Sequence, residues 1–146
     1  MPVFKLETQI MAPGEVCFDL ARSIDLHLES MSESKERAVG GVTSGLIGEG
    51  QEVTWEARHF GVLWRMTSRI TEFDPPHRFV DHMVHGPFAS FRHEHLFEPV
   101  AAGTRMTDVI DFTVTLGILA NPITGWYLRR LMSMRNATIR MKAEGR

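Results

Sequence analysis

Between Gln51 and Thr115 the hydrophobic pattern of this chain repeats every two residues, and after Asn121 it repeats every 3.6. A period of two belongs to a strand with one buried face, and a period of 3.6 to a helix with one buried stripe. Gln51 to His59 places Val53, Trp55, Ala57 and His59 on one face and Glu52, Thr54, Glu56 and Arg58 on the other. After a turn at Phe60-Gly61, Val62 to Glu72 sets Val62, Trp64, Met66, Ser68 and Ile70 against Arg65, Thr67, Arg69 and Thr71. Asp74-Pro75-Pro76 breaks the chain before a strand over Arg78 to His85. Gly86-Pro87 and the turn from Pro99 to Gly103 bound two more, Phe88 to Glu98 and Thr104 to Thr115. Turns this short join antiparallel neighbours, so the pattern predicts a meander.

The flanks complete the plan. Val3 to Met11 reads as a first strand and Arg37 to Thr43 as a weak, glycine-containing one. Between them Pro13 and Glu15 open a short helix, and Ser23 caps a second over Ile24 to Met31. In the last segment Asn121 is the expected N-cap, Pro122 the first helical residue and Gly145 the stop. Ile123, Trp126, Tyr127, Leu131, Met134 and Met141 mark its expected apolar stripe. At the usual rise per residue this helix is roughly 35 Å long. A sheet face and a helix stripe bury each other. The expectation is one α+β domain over residues 1–146, a helix-grip fold: a curved antiparallel sheet of about seven strands around a long C-terminal helix, with two short helices after strand 1.

This order of elements resembles the START-like, or SRPBCC, superfamily, which includes the major birch pollen allergen, coenzyme Q-binding proteins and bacterial polyketide cyclases. Three stretches carry the resemblance. They are the first strand running into Ala12-Pro13-Gly14-Glu15-Val16-Cys17-Phe18-Asp19-Leu20, the segment from Thr67 to Phe79 through Asp74-Pro75-Pro76, and Phe91 to Glu98. These are signatures of a fold and carry no catalytic set. The resemblance implies a cavity and leaves its use open.

Composition narrows the setting. A 43% hydrophobic and 23% charged chain supports an ordinary core. The single Cys17 excludes an internal disulfide and a cysteine-built zinc site, and it fits a reducing cytoplasm. No basic-then-apolar start marks a secretion signal, and no apolar run nears the ~20 residues of a membrane span. A cytoplasmic protein with no integral membrane association is expected. The net charge of −2 is uneven: residues 117–146 carry +5 and the remainder −7. The basic residues, Arg135 among them, read as a solvated helix face against an acidic sheet edge.

Candidate chemistry concentrates in the histidines. His93 and His95 share a strand face with Phe91 and Phe97. Asp81 between Phe79 and Met83, and Asp108 between Met106 and Ile110, should point the same way, and His59 continues the Trp55 face. An apolar concavity with a few polar groups suits a small ligand. The expected ligand-binding wall therefore combines Trp55, His59, Trp64, Met66, Phe79 and Asp81 from the earlier strands with Met83, Phe91, His93, His95, Met106 and Asp108 from the later ones. Tyr127 and Leu131 complete it from the helix. His93 and His95 with His59 or Asp81 have the donor types for zinc or iron, but spacing supplies no third ligand, and no metal or other cofactor is expected. Asp81 or Asp108 beside His93 or His95 would serve as an acid–base pair.

Other motifs recede. Cys17 lies on the buried side of a helix and reads as a small hydrophobe. No Gly-x-Ser-x-Gly is present. The glycine-rich stretch Gly40 to Gly50 lacks the Lys-Ser or Lys-Thr of a phosphate loop and leads into a strand. Its Gly45-Leu46-Ile47-Gly48 lacks the flanking helices of a nucleic-acid clamp, so no nucleic-acid partner is expected. A mobile loop at the cavity mouth, with Leu46 and Ile47 at its tip, is the expected role. Function then ranks as binding of a small hydrophobic, lipid-like or aromatic molecule, by a carrier, sensor or host. A polyketide cyclase or dehydratase using a His/Asp pair comes second. A ligand-free interaction module, for example a small homodimer, comes third.

Overall fold

In the computed structural model, which describes residues 3–59, 61–114 and 120–145, β1 (Val3–Ile10) leads into α1 (Gly14–Ala21) and α2 (Ile24–Ser30). Six strands follow: β2 (Arg37–Gly41), β3 (Glu52–His59), β4 (Val62–Asp74), β5 (Arg78–His85), β6 (Ser90–Val100) and β7 (Gly103–Thr113). The long helix α3 (Ala120–Ala143) comes last. The strands form one antiparallel sheet in the order β1-β7-β6-β5-β4-β3-β2. This is the expected α+β helix-grip fold. The Asn121 side chain, expected to cap α3, and Phe60 in the β3–β4 turn lie outside the described residues.

The sheet curves for identifiable reasons. Register shifts interrupt the β4–β5 ladder twice, at Thr67/Ser68 and at Ile70/Glu72, and the β2–β3 ladder once, at Ala38/Gly40. Each extra residue bends its strand and increases the local twist. At the end of β2, Gly41 has φ +67°, and a Cβ there would lie 2.1 Å from the Glu52 carbonyl oxygen, so only glycine fits. At the opposite corner the Ser23 hydroxyl accepts the Leu26 N–H at 3.1 Å and starts α2 as predicted.

Two apolar clusters lie between sheet and helices. In the first, Phe18 of α1 meets Phe79 and Phe97 edge-on at 5.3 and 5.4 Å, with Ile10, Cys17, Met106 and Ile139 around them. The second joins Phe4, Met31, Phe91, Ile110, Phe112 and Met132.

Two expectations need correction. Ile123, Trp126 and Met141 do not belong to the buried stripe of α3; Ile123 and Trp126 are 64% and 65% exposed. The buried seam runs through Met132, Arg135, Asn136 and Ile139. Two polar residues hold that seam because a buried carboxylate meets them there, so Arg135 is no part of a solvated basic face. The glycine-rich loop is also tied down. Ile24 N–H donates to the Gly45 carbonyl at 2.8 Å, Ile47 N–H to the Arg22 carbonyl at 3.1 Å, and Gly45 N–H to Asp25 Oδ2 at 3.0 Å. These bonds bury Ile47 and leave Leu46 half exposed, so the two do not form a common tip.

Candidate functional site

The site begins with the pairing of β5, β6 and β7. Register sets Asp81 opposite His93, Phe79 opposite His95, and His95 opposite Asp108. Alternation turns all of these side chains to the concave face, where α3 brings Arg135 and Asn136. Asp108, fully buried, accepts from His93 Nε2 at 2.6 Å, Asn136 Nδ2 at 2.8 Å and Arg135 Nη1 at 3.3 Å. Arg135 also donates to Asn136 Oδ1 at 2.9 Å and, through Nη2, to the Ala21 carbonyl at 3.2 Å.

Arg135 determines the state of His95. Its Nη2 lies 3.3 Å from His95 Nδ1, and a guanidinium only donates, so Nδ1 is the acceptor. The proton then sits on Nε2, which donates to Asp81 Oδ2 at 2.7 Å. Burial, reinforced by the neighbouring His93, pushes His95 down to about 4, and the ring is neutral at pH 7. Burial alone would raise Asp108, but the bond from His93 and the Arg135 charge outweigh it and hold the carboxyl well below the usual range. Asp81 shows the same balance: burial pulls it up, the His95 hydrogen bond and nearby His93 pull it further down, and it stays ionised.

The rings form a column. Phe79 stacks on His95 at 3.9 Å, and His95 on His93 at 3.7 Å with planes 19° apart. Asp81, His93 and His95 each offer one ligating atom within 4.8 Å of the others. Imidazole lone pairs lie in the ring plane, and a metal sits roughly 2 Å from each nitrogen. Two nearly parallel rings this close do not aim both lone pairs at one ion. Each Nε2 already faces a carboxylate. Metal binding here therefore requires one imidazole to turn out of the stack. His59, the other third ligand considered, stands apart, with its Nδ1 2.8 Å from the Tyr127 hydroxyl; burial lowers its basicity.

Above this polar floor lies a cavity of about 420 Å³ between the sheet, α2 and α3. Eleven of the predicted residues line it: Trp55, His59, Trp64, Met66, Phe79 and Asp81, then Phe91, His93, His95, Tyr127 and Leu131. Three do not. Met106 is fully buried in the Phe18 cluster, Asp108 lies behind His93, and Met83 packs against the Phe91 cluster. Each points inward, but where helix and sheet meet inward means core.

Sequence reasoning missed Ser68, Arg135 and the pair His27–Glu36 as wall residues. His27 stacks on Trp55 at 4.0 Å and meets Glu36 Oε1 at 2.5 Å. Ser68 was readable from its strand register; Arg135, a charged residue in a buried helix seam, was not. His27–Glu36 crosses from α2 to the segment before β2 and left no local signal.

No helix among the described residues is long and apolar enough to cross a membrane. Solved structures share the fold over nearly the whole chain. A Thermus thermophilus protein, TTHA0849, is 22% identical with a TM-score of 0.69, matching 97% of this chain and 93% of its own. The Zhui aromatase/cyclase from Streptomyces is 14% identical with a TM-score of 0.78, over 98% and 93%. Ara h 8.0201 is 12% identical with a TM-score of 0.76, over 99% of both chains. A search of curated proteins finds no match. Residues 1–144 match a family model, and by that match this chain belongs to the polyketide cyclase / dehydrase and lipid transport family.

Proposed function

We propose that this protein binds one small hydrophobic molecule, lipid-like or aromatic, inside the helix grip, and serves as a carrier, sensor or host. The observation behind this reading is the cavity of about 420 Å³. Ligand pockets of this kind span roughly 300–1,000 Å³ and combine apolar walls with a few placed polar groups. Trp55 and Trp64 in the wall supply a signal. Titration with a neutral apolar fluorophore should quench or shift their emission saturably, at one molecule per chain. A panel of lipids, flavonoid-like rings and polyketides with no saturable response, together with native mass spectra showing only the bare chain, would remove the proposal.

A cyclase or dehydratase role in the same cavity is the second reading, supported by the ionised Asp81 in the wall and by the family. Both nitrogens of His95 and the Nε2 of His93 are engaged within the protein. Proton transfer to a substrate would thus fall to Asp81 and the Nδ1 of His93, with His95 as a positioning residue. Neither reading uses a metal. Protein purified without affinity tag or chelator should contain zinc and iron well below one equivalent, and a full equivalent lost on replacing both histidines would reverse the ranking.

A further inference from the structure

We infer that the inner wall of the cavity selects neutral ligands carrying a hydroxyl, with Asp81 and Ser68 as the specificity-determining pair. The inference rests on the binding role proposed above.

Two side-chain oxygens of the wall, one on β4 and one on β5, have no partner among the described residues. Asp81 uses Oδ2 to accept from His95, and its Oδ1 has no partner among the described residues. Its side chain is 18% exposed and lines the cavity. Ser68 also lines the cavity; it is 4% exposed, and its Oγ has no hydrogen-bond partner among the described residues. A buried hydroxyl left without a partner is costly and uncommon in native proteins. The two stand together: Ser68 pairs with Met83 and Ile70 with Asp81 across β4 and β5, with no register shift between them. Such diagonal neighbours have Cα atoms about 7–8 Å apart. A ligand edge reaching this wall meets a carboxylate oxygen that accepts and a hydroxyl that donates.

Charge decides which head group fits. Asp81 is ionised beside a neutral His95, so its charge is not matched by its partner. The arginines in the wall are turned elsewhere. Arg135 is engaged with Asp108, Asn136 and the Ala21 carbonyl, and Arg22 with Asp19 and the Ile47 carbonyl. The other wall carboxylate, Glu36, faces His27. A fatty-acid carboxylate at this wall would meet like charge without a free guanidinium. A phenol or alcohol would donate to Asp81 Oδ1 and receive the Ser68 hydroxyl.

Three probes of one skeleton separate these outcomes: 2-naphthol, 2-methoxynaphthalene without the donor, and 2-naphthoate with an anionic head. With the intact chain near pH 7, 2-naphthol should bind roughly tenfold or more tighter than 2-methoxynaphthalene, the scale of a hydrogen bond to a charged group, and 2-naphthoate weakest. Asp81→Asn should reduce the naphthol preference and improve naphthoate binding. Ser68→Ala should also reduce the preference while leaving the melting temperature of the free protein unchanged or raised, because it removes an unsatisfied atom. If Asp81→Asn does not fold, Ser68→Ala and the wild-type series still decide. Equal binding of naphthol and methoxynaphthalene, or tightest binding of naphthoate, overturns the inference and leaves the cavity intact. An undiminished preference in either folded variant also overturns it. No binding of any probe overturns the inference alone; the proposed function then stands or falls on the wider ligand panel and the native mass spectra.

Discussion

The two halves of α3 do opposite work. Toward its C-terminus Ile139 is fully buried, in the cluster built on Phe18, Phe79 and Phe97. Toward its N-terminus Thr124, Tyr127, Leu128 and Leu131 face a cavity, while Ile123 and Trp126 point to solvent. One end of the helix is sealed in core, while the other packs on the Phe91 cluster through Leu128 and Leu131 and still borders open space. Arg135, Asn136 and Asp108 stand at the junction. Sealed core and cavity wall are thereby divided along a single helix.

The largest expected effect is at the junction. Asp108→Ala leaves the buried Arg135 and Asn136 without their carboxylate. Breaking a buried ion pair by removing one partner costs about 3–5 kcal/mol, severe against a total of roughly 5–15. Urea unfolding of the variant should show this, and a loss under about 1 kcal/mol would mean that water satisfies the network. The next test contrasts the two halves directly. Ile139→Ala should cost about 2–5 kcal/mol, as deletions in packed cores do, and Leu131→Ala less than half as much because the cavity already adjoins it. Equal costs would erase the distinction.

Acid should weaken the junction in two stages. His95 has a folded pKa of about 4 against an ordinary 6.5. Between these values the unfolded chain binds a proton that the folded chain refuses, so stability falls as pH falls through this window, by an amount on the order of 3 kcal/mol at most. Asp81 and Asp108 have folded values below their ordinary 3.8, and their contribution is lost as pH drops further. Unfolding free energies measured from pH 7 to 4.5 should decline, and His95→Gln should flatten the decline; a wild-type profile flat over that range would contradict the buried neutral imidazole. The smallest stability effect belongs to the open end. Trp64 is 39% exposed, so Trp64→Ala should cost about 1 kcal/mol, the ordinary scale of a point mutant, while visibly altering the affinity or order of preference for apolar probes. A large stability loss without any change in binding would reassign Trp64 to the core.

Much of this was legible in the linear chain. A period of two has no freedom: once Phe79 and Phe91 face inward, Asp81, His93 and His95 must as well. The turns, the Ser23 cap and the inward His/Asp cluster all follow from local rules. The seam of α3 did not, because helix-period reading weighs hydrophobicity, and this seam contains Arg135 and Asn136. They are buried only because Asp108, 27 and 28 residues earlier, is buried opposite them. Nor could the pattern separate Met106 and Asp108, which are sealed, from Phe91 and His93, which border open space. Facing inward is a property of a strand. Facing a void depends on how far a bulged sheet and a long helix stand apart at that point, and that separation arises from contacts between residues far apart in the chain.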